Sequence, residues 1–356
     1  MSLDTLITEA RRQVEICNAC RYCEGYCSVF PAIARQKSFA DGDITQLANL
    51  CHNCRGCYYA CQYTAPHEFA LNLPAALAEV RHDSWERHIH PQAFAKLFQT
   101  SGLAIALLAV ATLALMFWAI AVWQPLQGDG FYAVLAHNTL VAIFAPAFLA
   151  PLALIGFGLR SYWREVGGGP LRMSDILEAM ASAGRMKNLS GGQGQGCNFE
   201  QADRYSDRRR QFHQAMMYGF LLCFAATSTA TLMHYVLGWQ APYSLASVPK
   251  LLGLPGGVLM VIGAGGLAWL KTKADPALGA AKAWGGEMAF ILLLALVAGS
   301  GLLLYGLGGT AAMPALFALH LASILVLFLL MPFSKMVHGF FRLTALIVEA
   351  GKANQR

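Results

Sequence analysis

Six long apolar runs constrain the fold of this chain more than any other feature of its sequence. About 20 consecutive apolar residues cross a bilayer as a helix, and a helix satisfies its own backbone hydrogen bonds there without water. Charged residues make up only 13% of the chain, against about 25% in soluble proteins, which excludes a disordered chain. The sequence therefore predicts an all-α protein with a six-helix transmembrane bundle. The runs are Leu103–Trp123, Val134–Leu159, Met216–Leu237, Leu254–Leu270, Met288–Leu307 and Ala312–Phe333.

The charges between these runs indicate how the helices are oriented. With the first hundred residues in the cytoplasm, the inside segments 160–211, 271–287 and 334–356 contain nine, three and four Lys or Arg residues, and the outside segments contain only Lys250. Basic residues concentrate on the cytoplasmic side of membrane proteins. The asymmetry predicts a multi-pass protein of the cytoplasmic (inner) membrane with both termini inside. The net charge of +6 thus indicates contact with membrane lipid and no nucleic-acid partner.

The longest inside segment, residues 160–211, is expected to form a partly ordered cytoplasmic cap. We interpret its basic run, Arg208–Arg209–Arg210, as an anchor to anionic lipid. Its glycines at 191–196 do not follow a strand and open a helix, so they are not a dinucleotide-binding fingerprint. The chain has no evident flavin or substrate site of its own.

Eight of the ten cysteines lie in two runs with identical C-x2-C-x2-C-x3-C spacing. Three thiolates spaced in this way wrap one corner of a cubane, and in two-cluster ferredoxins the fourth ligand is the last cysteine of the other run. Structural zinc, which favours two C-x2-C pairs, and disulfides, which are rare in the cytoplasm, fit this pattern less well. The spacing therefore predicts one [4Fe–4S] cluster on Cys17, Cys20, Cys23 and Cys61, and a second on Cys51, Cys54, Cys57 and Cys27.

These patterns divide the chain into two predicted domains. Residues 1–98 form a cytoplasmic di-cluster ferredoxin-like domain, and residues 99–356 form a six-span haem-binding domain. The linker between the cysteine runs, 28–50, looks helical rather than strand-rich. It resembles the α-helical ferredoxin modules of succinate dehydrogenases, heterodisulfide reductases and anaerobic glycerol-3-phosphate dehydrogenases, although no proline directly follows the last cysteine of either run.

Five histidines lie in or beside the apolar runs: His137, His213, His234, His320 and His338. Burying an ionisable side chain in a membrane costs free energy, so its presence there indicates a function. Two neutral imidazoles from facing helices can ligate a b-type haem. On one continuous helix, His320 and His338 would share a face five turns apart. We expect an inner haem on His213 and His338 and an outer haem on His320 and His234, with His137 as the alternative ligand.

Two alternatives for these histidines stay open at this point. One haem could be bound instead of two, and some of the five could be interfacial side chains bonded to backbone or headgroups. The remaining histidines are interpreted as surface or local hydrogen-bonding residues: His52, His67, His82, His88 and His90.

The loop that leads into the third apolar run carries a more distinctive set of residues. They are Gly194-Gln195-Gly196-Cys197-Asn198, Arg208–Arg210, His213, Tyr218-Gly219-Phe220 and Cys223-Phe224-Ala225-Ala226-Thr227-Ser228. Together with the cysteine runs and the six spans, they resemble the tricarballylate/citrate utilisation protein B family. The resemblance implies a membrane electron-transfer protein that takes electrons from the reduced flavin of an FAD-dependent tricarballylate dehydrogenase. It implies delivery of these electrons to the quinone pool, as a subunit rather than as a stand-alone catalyst.

Two other functions compete with this interpretation. A heterodisulfide-reductase-type redox enzyme subunit would carry substrate chemistry on the chain itself, and only residues 160–211 are available for a substrate domain. A membrane redox sensor would use the clusters as a switch. The residues themselves do not name an oxidised substrate.

Overall fold

A computed structural model of the chain describes residues 3–123, 135–191, 194–200, 204–239 and 241–354. The secondary structure of these residues is helical, apart from an isolated antiparallel bridge between Cys197 and Ser206. The predicted all-α fold is therefore confirmed. The short loop at 124–133 and the first residue of the second predicted run, Val134, lie outside the described residues.

The N-terminal domain is a small helical unit built around the two cysteine runs. Its helices are α1 (Leu3–Cys20), α2 (Val29–Ala34), α3 (Asp41–Leu50), α4 (Gly56–Tyr59) and α5 (Leu73–His88). The predicted helical linker between the cysteine runs consists of α2 and α3. Helices α1, α3 and α5 pack against one another and bury Val14, Leu47 and Leu77 completely. This apolar core holds the cysteine-bearing loops together at one side of the unit.

The remainder of the described chain contains six helices that are long and apolar enough to cross a membrane. They are α6 (Gln92–Trp123), α7 (His137–Glu165), α9 (Arg208–Leu237), α10 (Val248–Lys273), α11 (Trp284–Leu307) and α12 (Met313–Leu330), while the shorter α8 (Met173–Arg185) follows α7 and α13 (Val337–Ala353) ends the described chain. The six predicted spans are therefore present as helices. Several extend beyond the apolar runs into polar sequence next to the N-terminal domain.

Helices α9 and α10 touch through glycines. A Cβ added to Gly219 of α9 would lie 2.6 Å from the backbone nitrogen of Met260, and one added to Gly263 of α10 would lie 2.4 Å from that of Met216. Small residues let membrane helices approach closely enough for backbone contact. The short glycine-rich run at 254–270 is therefore a packing surface inside a 26-residue helix.

The N-terminal domain packs on one end of the helix bundle. The Tyr162 hydroxyl of α7 donates to Gln46 Oε1 at 2.7 Å, and Gln46 Nε2 donates to the Ala345 carbonyl of α13 at 2.8 Å. Nearby, Glu165 accepts hydrogen bonds from Arg87 and Thr45. A single hydrophobic core runs from α3 into α7 and α13. The cysteine loops are thus held at a defined place against the bundle.

Two expectations about the C-terminal region are wrong. Residues 337–353, which were expected in a loop, form α13 and pack against α3, α7 and α8. Helix α12 ends at Leu330, just before Pro332, because proline lacks the backbone N–H that would continue the helix. His320 and His338 therefore lie on separate helices instead of one continuous face.

Candidate functional site

The two cysteine runs share one backbone feature and differ in another. In each run the residue after the second cysteine is an arginine in the left-handed region, Arg21 with φ of 56° and Arg55 with φ of 67°, a conformation that is uncommon in residues other than glycine. Cys17 and Cys20 lie in α1, whereas Cys51 and Cys54 lie in a loop where Asn53 also has a positive φ, of 50°. In the second run this geometry brings the Asn53 amide to 3.4 Å from the Cys51 sulfur, to which it donates.

A cavity of about 220 Å³ lies beside the first run. The cysteines that line it are Cys17, Cys20, Cys23, Cys57 and Cys61, and three tyrosines, Tyr22, Tyr58 and Tyr63, complete part of its wall. Cys20 is exposed, and the Tyr22 side chain at the rim is 70% exposed. This cavity is therefore accessible from the surface of the N-terminal domain.

A second, smaller cavity of about 20 Å³ lies beside the second run. Its cysteines are Cys27, Cys51, Cys54 and Cys57. The structure thus brings the last cysteine of each run to the first three cysteines of the other, as in the crossed pairing that the spacing predicts. Cys57 borders both cavities, so the two candidate cluster sites are neighbours.

Burial keeps the thiols of the two runs protonated in the absence of metal. Burial, with the neighbouring Cys61, raises the pKa of Cys17 and of Cys23 to about 12, and burial raises that of Cys54 to about 11. Metal binding displaces the protons that such thiols would otherwise keep. Among the described residues, no three His, Cys, Asp or Glu side chains converge on one metal ion. Four thiols spread around a cavity fit a multi-iron cage better than a tetrahedral zinc site.

Three arginines from distant parts of the chain surround the second run. Arg81 and Arg342 donate to the Cys51 carbonyl at 2.7 Å and 2.6 Å. Arg209 donates to the carbonyls of Asn53, at 2.6 Å, and His52, at 2.9 Å. We call Arg81, Arg209 and Arg342 the arginine collar. The interpretation of Arg209 as a lipid anchor is wrong, because its side chain points to the cysteine loop and stacks 4.1 Å over the Phe199 ring.

The described residues 194–200 form a strap over the second run. The Asn198 amide donates to the Cys54 carbonyl at 3.0 Å, and Arg55 donates to the Phe199 carbonyl at 3.1 Å. Cys197 is buried, 1% exposed, next to Cys54. The segment that was expected to form a cap does cover part of the N-terminal domain in its described residues.

A pair of histidines lies at the same end of the bundle as the second run. The rings of His213 on α9 and His338 on α13 are 5.9 Å apart between centroids, at 85°. Burial, together with Arg342, holds the pKa of His338 well below its usual range, so its ring is neutral, the form that ligates iron. The buried Nδ1 of His213 has no hydrogen-bond partner within the described chain. These residues fit a bis-histidine iron site.

His52 directly follows Cys51 in the second run. It lines the second cavity, and its Nδ1 lies 3.0 Å from the Leu50 carbonyl oxygen. Burial, with the charges of Arg342 and Arg209, holds its pKa well below the usual range, and His213 is among the groups that act on it. His52 was expected at the surface or in a local hydrogen bond; it makes the local contact with Leu50 and also lines the second cavity.

A second pair of histidines lies at the far end of the bundle. The rings of His137 on α7 and His234 on α9 stack at 4.1 Å between centroids, and His137 Nε2 lies 3.1 Å from the Tyr235 hydroxyl. His320 on α12 has its Nδ1 3.0 Å from the Ser300 hydroxyl of α11. The ring beside His234 is thus that of His137, the alternative ligand, while the pairing of His234 with His320 stays a prediction.

Several buried polar residues near these sites were not identified from the sequence. His82 and His88, interpreted as surface or local residues, are 6% and 7% exposed. His82 Nε2 lies 3.2 Å from Glu287, which also accepts from Lys271 and Lys335. The sequence of α5 carries no signal of this burial, because polar residues in a helix ordinarily lie at the surface.

The comparisons with known proteins cover nearly the whole chain. Residues 10–86 match the family described as the Citrate utilization protein B Fer4-like domain, and residues 91–356 match Citrate utilization protein B. The chain is 42% identical over 346 residues to Citrate utilization protein B from Escherichia coli, which covers 95% of this chain and 90% of that relative. No solved structure matches. The chain belongs to the citrate utilization protein B family.

Proposed function

We propose that this protein passes electrons from the reduced flavin of a partner FAD-dependent dehydrogenase to membrane quinone, through two [4Fe–4S] clusters and b-type haem. One observation carries the proposal. Two cysteine-lined cavities lie side by side, with Cys57 in the wall of both. Arg209 and Arg342, each one helical turn from a member of the His213–His338 pair, donate to the backbone of the second run. This arrangement provides a row of redox sites from the protein surface to the helix bundle.

The eight cysteines of the two runs would hold the clusters, in the crossed pairing, and each cluster when bound supplies one-electron transfer. The first cavity opens to the surface beside the exposed Cys20 and Tyr22. We place the entry of electrons, and the docking of the flavoprotein, at this opening. The second cavity lies behind it, under the strap, and next to the bundle.

The histidines of the helix bundle would hold the haem. His213 and His338 would ligate the haem nearer the clusters, and His234 would ligate a second with His137 or His320. Six apolar helices are compatible with a multi-pass membrane protein, where a lipid-soluble quinone is available as the acceptor. The basic inside segments support a cytoplasmic N-terminal domain, on the side where a soluble dehydrogenase would meet it.

The described part of the 160–211 segment supports electron transfer over substrate chemistry on this chain. Helix α8 packs against α13, and the Tyr218 hydroxyl of α9 donates to the Gly184 carbonyl at its end. The strap packs on the second run. This segment therefore serves as a cover, and the substrate would be oxidised by the partner. The resemblance suggests tricarballylate as that substrate, and the family name suggests citrate utilisation.

Reconstitution tests the proposal directly. Anaerobically purified protein is analysed for iron, labile sulfide and haem, combined with the flavoprotein dehydrogenase and a quinone, and followed optically after addition of citrate or tricarballylate. We expect broad cluster bleaching near 400 nm and sharp reduced-haem bands, both reversed by quinone. A Cys223→Ala variant, altered outside both runs, should behave as wild type. Zinc in place of iron would contradict the proposal. Missing haem bands at full cluster occupancy would contradict the proposed transfer of electrons through haem in the helix bundle.

A further inference from the structure

The arginine collar carries positive charge that the protein does not neutralise with carboxylates. Arg81 is buried, and Arg209 and Arg342 are half-buried. Within the described chain, none of the three forms an ion pair with Asp or Glu. Their hydrogen bonds go to the backbone carbonyls of residues 49–53. Because unpaired buried cations are costly, the collar indicates that an anion occupies the space beside it.

Arg81 and Arg342 both donate to the carbonyl of Cys51, whose sulfur would be a cluster ligand. Cys51 acts on both Arg81 and Arg342 and favours their charged forms. The guanidinium groups of Arg81 and Arg342 meet at this one carbonyl, so their positive charges repel each other. Such repulsion within the collar is relieved when a negatively charged group lies between its members. A cluster with four thiolate ligands is negatively charged, and it becomes more so when it is reduced.

The first run lacks a comparable environment. Its guanidinium contact in the described chain is that of Arg21, which donates to the Asn18 carbonyl at 3.1 Å and is exposed to solvent. Amide hydrogen bonds to sulfur occur at both sites, from Tyr63 to Cys61 and from Asn53 to Cys51, each at 3.4 Å. The second site differs in the three guanidinium groups of the collar. Nearby cations and hydrogen bonds to cluster sulfurs both raise reduction potentials.

We infer that the arginine collar holds the reduction potential of the second cluster above that of the first and so directs electrons from the surface toward the helix bundle. The inference rests on the proposed function. Reduction adds one negative charge, and fixed positive charges in a low-dielectric site favour that form. The single electron lost by the first cluster is gained by the second, with no bond broken and no proton moved, because the arginines stay protonated. The collar acts through its field and not as a ligand.

A redox titration of the full-length protein, followed by electron paramagnetic resonance, tests the inference. A Cys17→Ser background, which removes the first cluster, identifies the signal of the second. We expect Arg342→Gln and Arg209→Gln each to shift the midpoint of the second cluster to lower potential, with the first unchanged. Arg342→Lys keeps the positive charge, so the midpoint of the second cluster should stay close to the wild-type value. Arg21→Gln removes the exposed arginine of the first run and is the matched control.

The outcomes separate the two proposals. Unshifted midpoints in Arg342→Gln and Arg209→Gln, at full iron and sulfide content, overturn the role of the collar and leave the clusters in place. Loss of the second cluster from the glutamine variants with retention in Arg342→Lys supports the need for positive charge. Loss of the second cluster from Arg342→Lys as well overturns the role of the charge, because the arginine contact and not the positive charge would then hold the cluster. Wild-type protein without iron and sulfide overturns both proposals.

Discussion

At the scale of single residues, the last cysteine of each run lies beside the first three cysteines of the other run. Cys27 lines the cavity of the second run and Cys61 that of the first. These positions agree with two-cluster ferredoxins, in which the last cysteine of each run ligates the other cluster, and the ligand pairing itself stays a prediction. The tertiary structure adds that the two cavities share Cys57, which places the two sites side by side.

The crossed pairing predicts which cysteine variants resemble each other. Cys61→Ser should lose the same electron paramagnetic resonance signal as Cys17→Ser, and Cys27→Ser the same signal as Cys51→Ser. Each should lower iron and labile sulfide by about half, because one of two clusters loses a ligand. Matching of Cys61→Ser with Cys51→Ser would mean that each run binds its own cluster.

The histidine contacts predict haem content. We expect His213→Ala and His338→Ala to lose the same haem, because the centroids of their rings are only 5.9 Å apart. His234→Ala should lose the other. Pyridine haemochrome analysis of His137→Ala and His320→Ala then decides its second ligand: loss of haem from the first of these two variants alone would assign His137, and loss from the second alone would assign His320.

At the scale of helices, small residues decide which helices touch. The apolar runs predicted the spans from length and composition, and they did not predict that α9 would pack on α10 through Gly219 and Gly263. The α13 helix was missed, although Val337, Phe341, Ala345 and Val348 are all buried and recur every three or four residues, the spacing of an amphipathic helix.

A pair of glycine substitutions tests the contact between α9 and α10. Gly219→Ala places a Cβ 2.6 Å from the Met260 backbone nitrogen, and overpacking of this kind costs about 1–3 kcal/mol. We expect a lower thermal unfolding temperature in detergent. Gly265→Ala, on α10, would meet nothing within 4 Å and should leave the unfolding temperature unchanged or slightly higher. Equal unfolding temperatures for the two variants would contradict the close packing.

At the scale of the whole molecule, the N-terminal domain and the bundle are coupled by packing and by the proposed cofactors. The shared core and the hydrogen bonds of Gln46 attach the cysteine loops to α7 and α13. Clusters with crossed ligands would tie the two runs to each other, and metal binding of this kind contributes to folding stability.

Removal of iron should therefore loosen the N-terminal domain first. After treatment with a chelator and an oxidant, we expect faster proteolysis between residues 17 and 61, while fragments that contain α9 to α12 remain resistant. Mass spectrometry of the fragments over time measures the difference. Unchanged cleavage of the cysteine region after complete loss of iron would show that the apolar core suffices to hold it closed.

The distribution of basic residues predicts the orientation of the whole chain. Green fluorescent protein fused after Arg356 should fluoresce and alkaline phosphatase fused there should be inactive, because both termini are expected in the cytoplasm. Fusions after Gly309, in the short segment between α11 and α12, should give the opposite result. Phosphatase activity at the C-terminus would require an odd number of spans.

The sequence by itself determined the features that depend on neighbours along the chain: the cysteine spacing, the six helical spans and the side on which basic residues gather. Helical period and bilayer thickness act locally, so these features can be read from short windows. Only the tertiary structure decided which distant residues meet, such as Arg342 and Cys51, which are 291 positions apart, or His137 and His234. Such contacts are selected by the packing of helix faces, and no short window of sequence contains both partners.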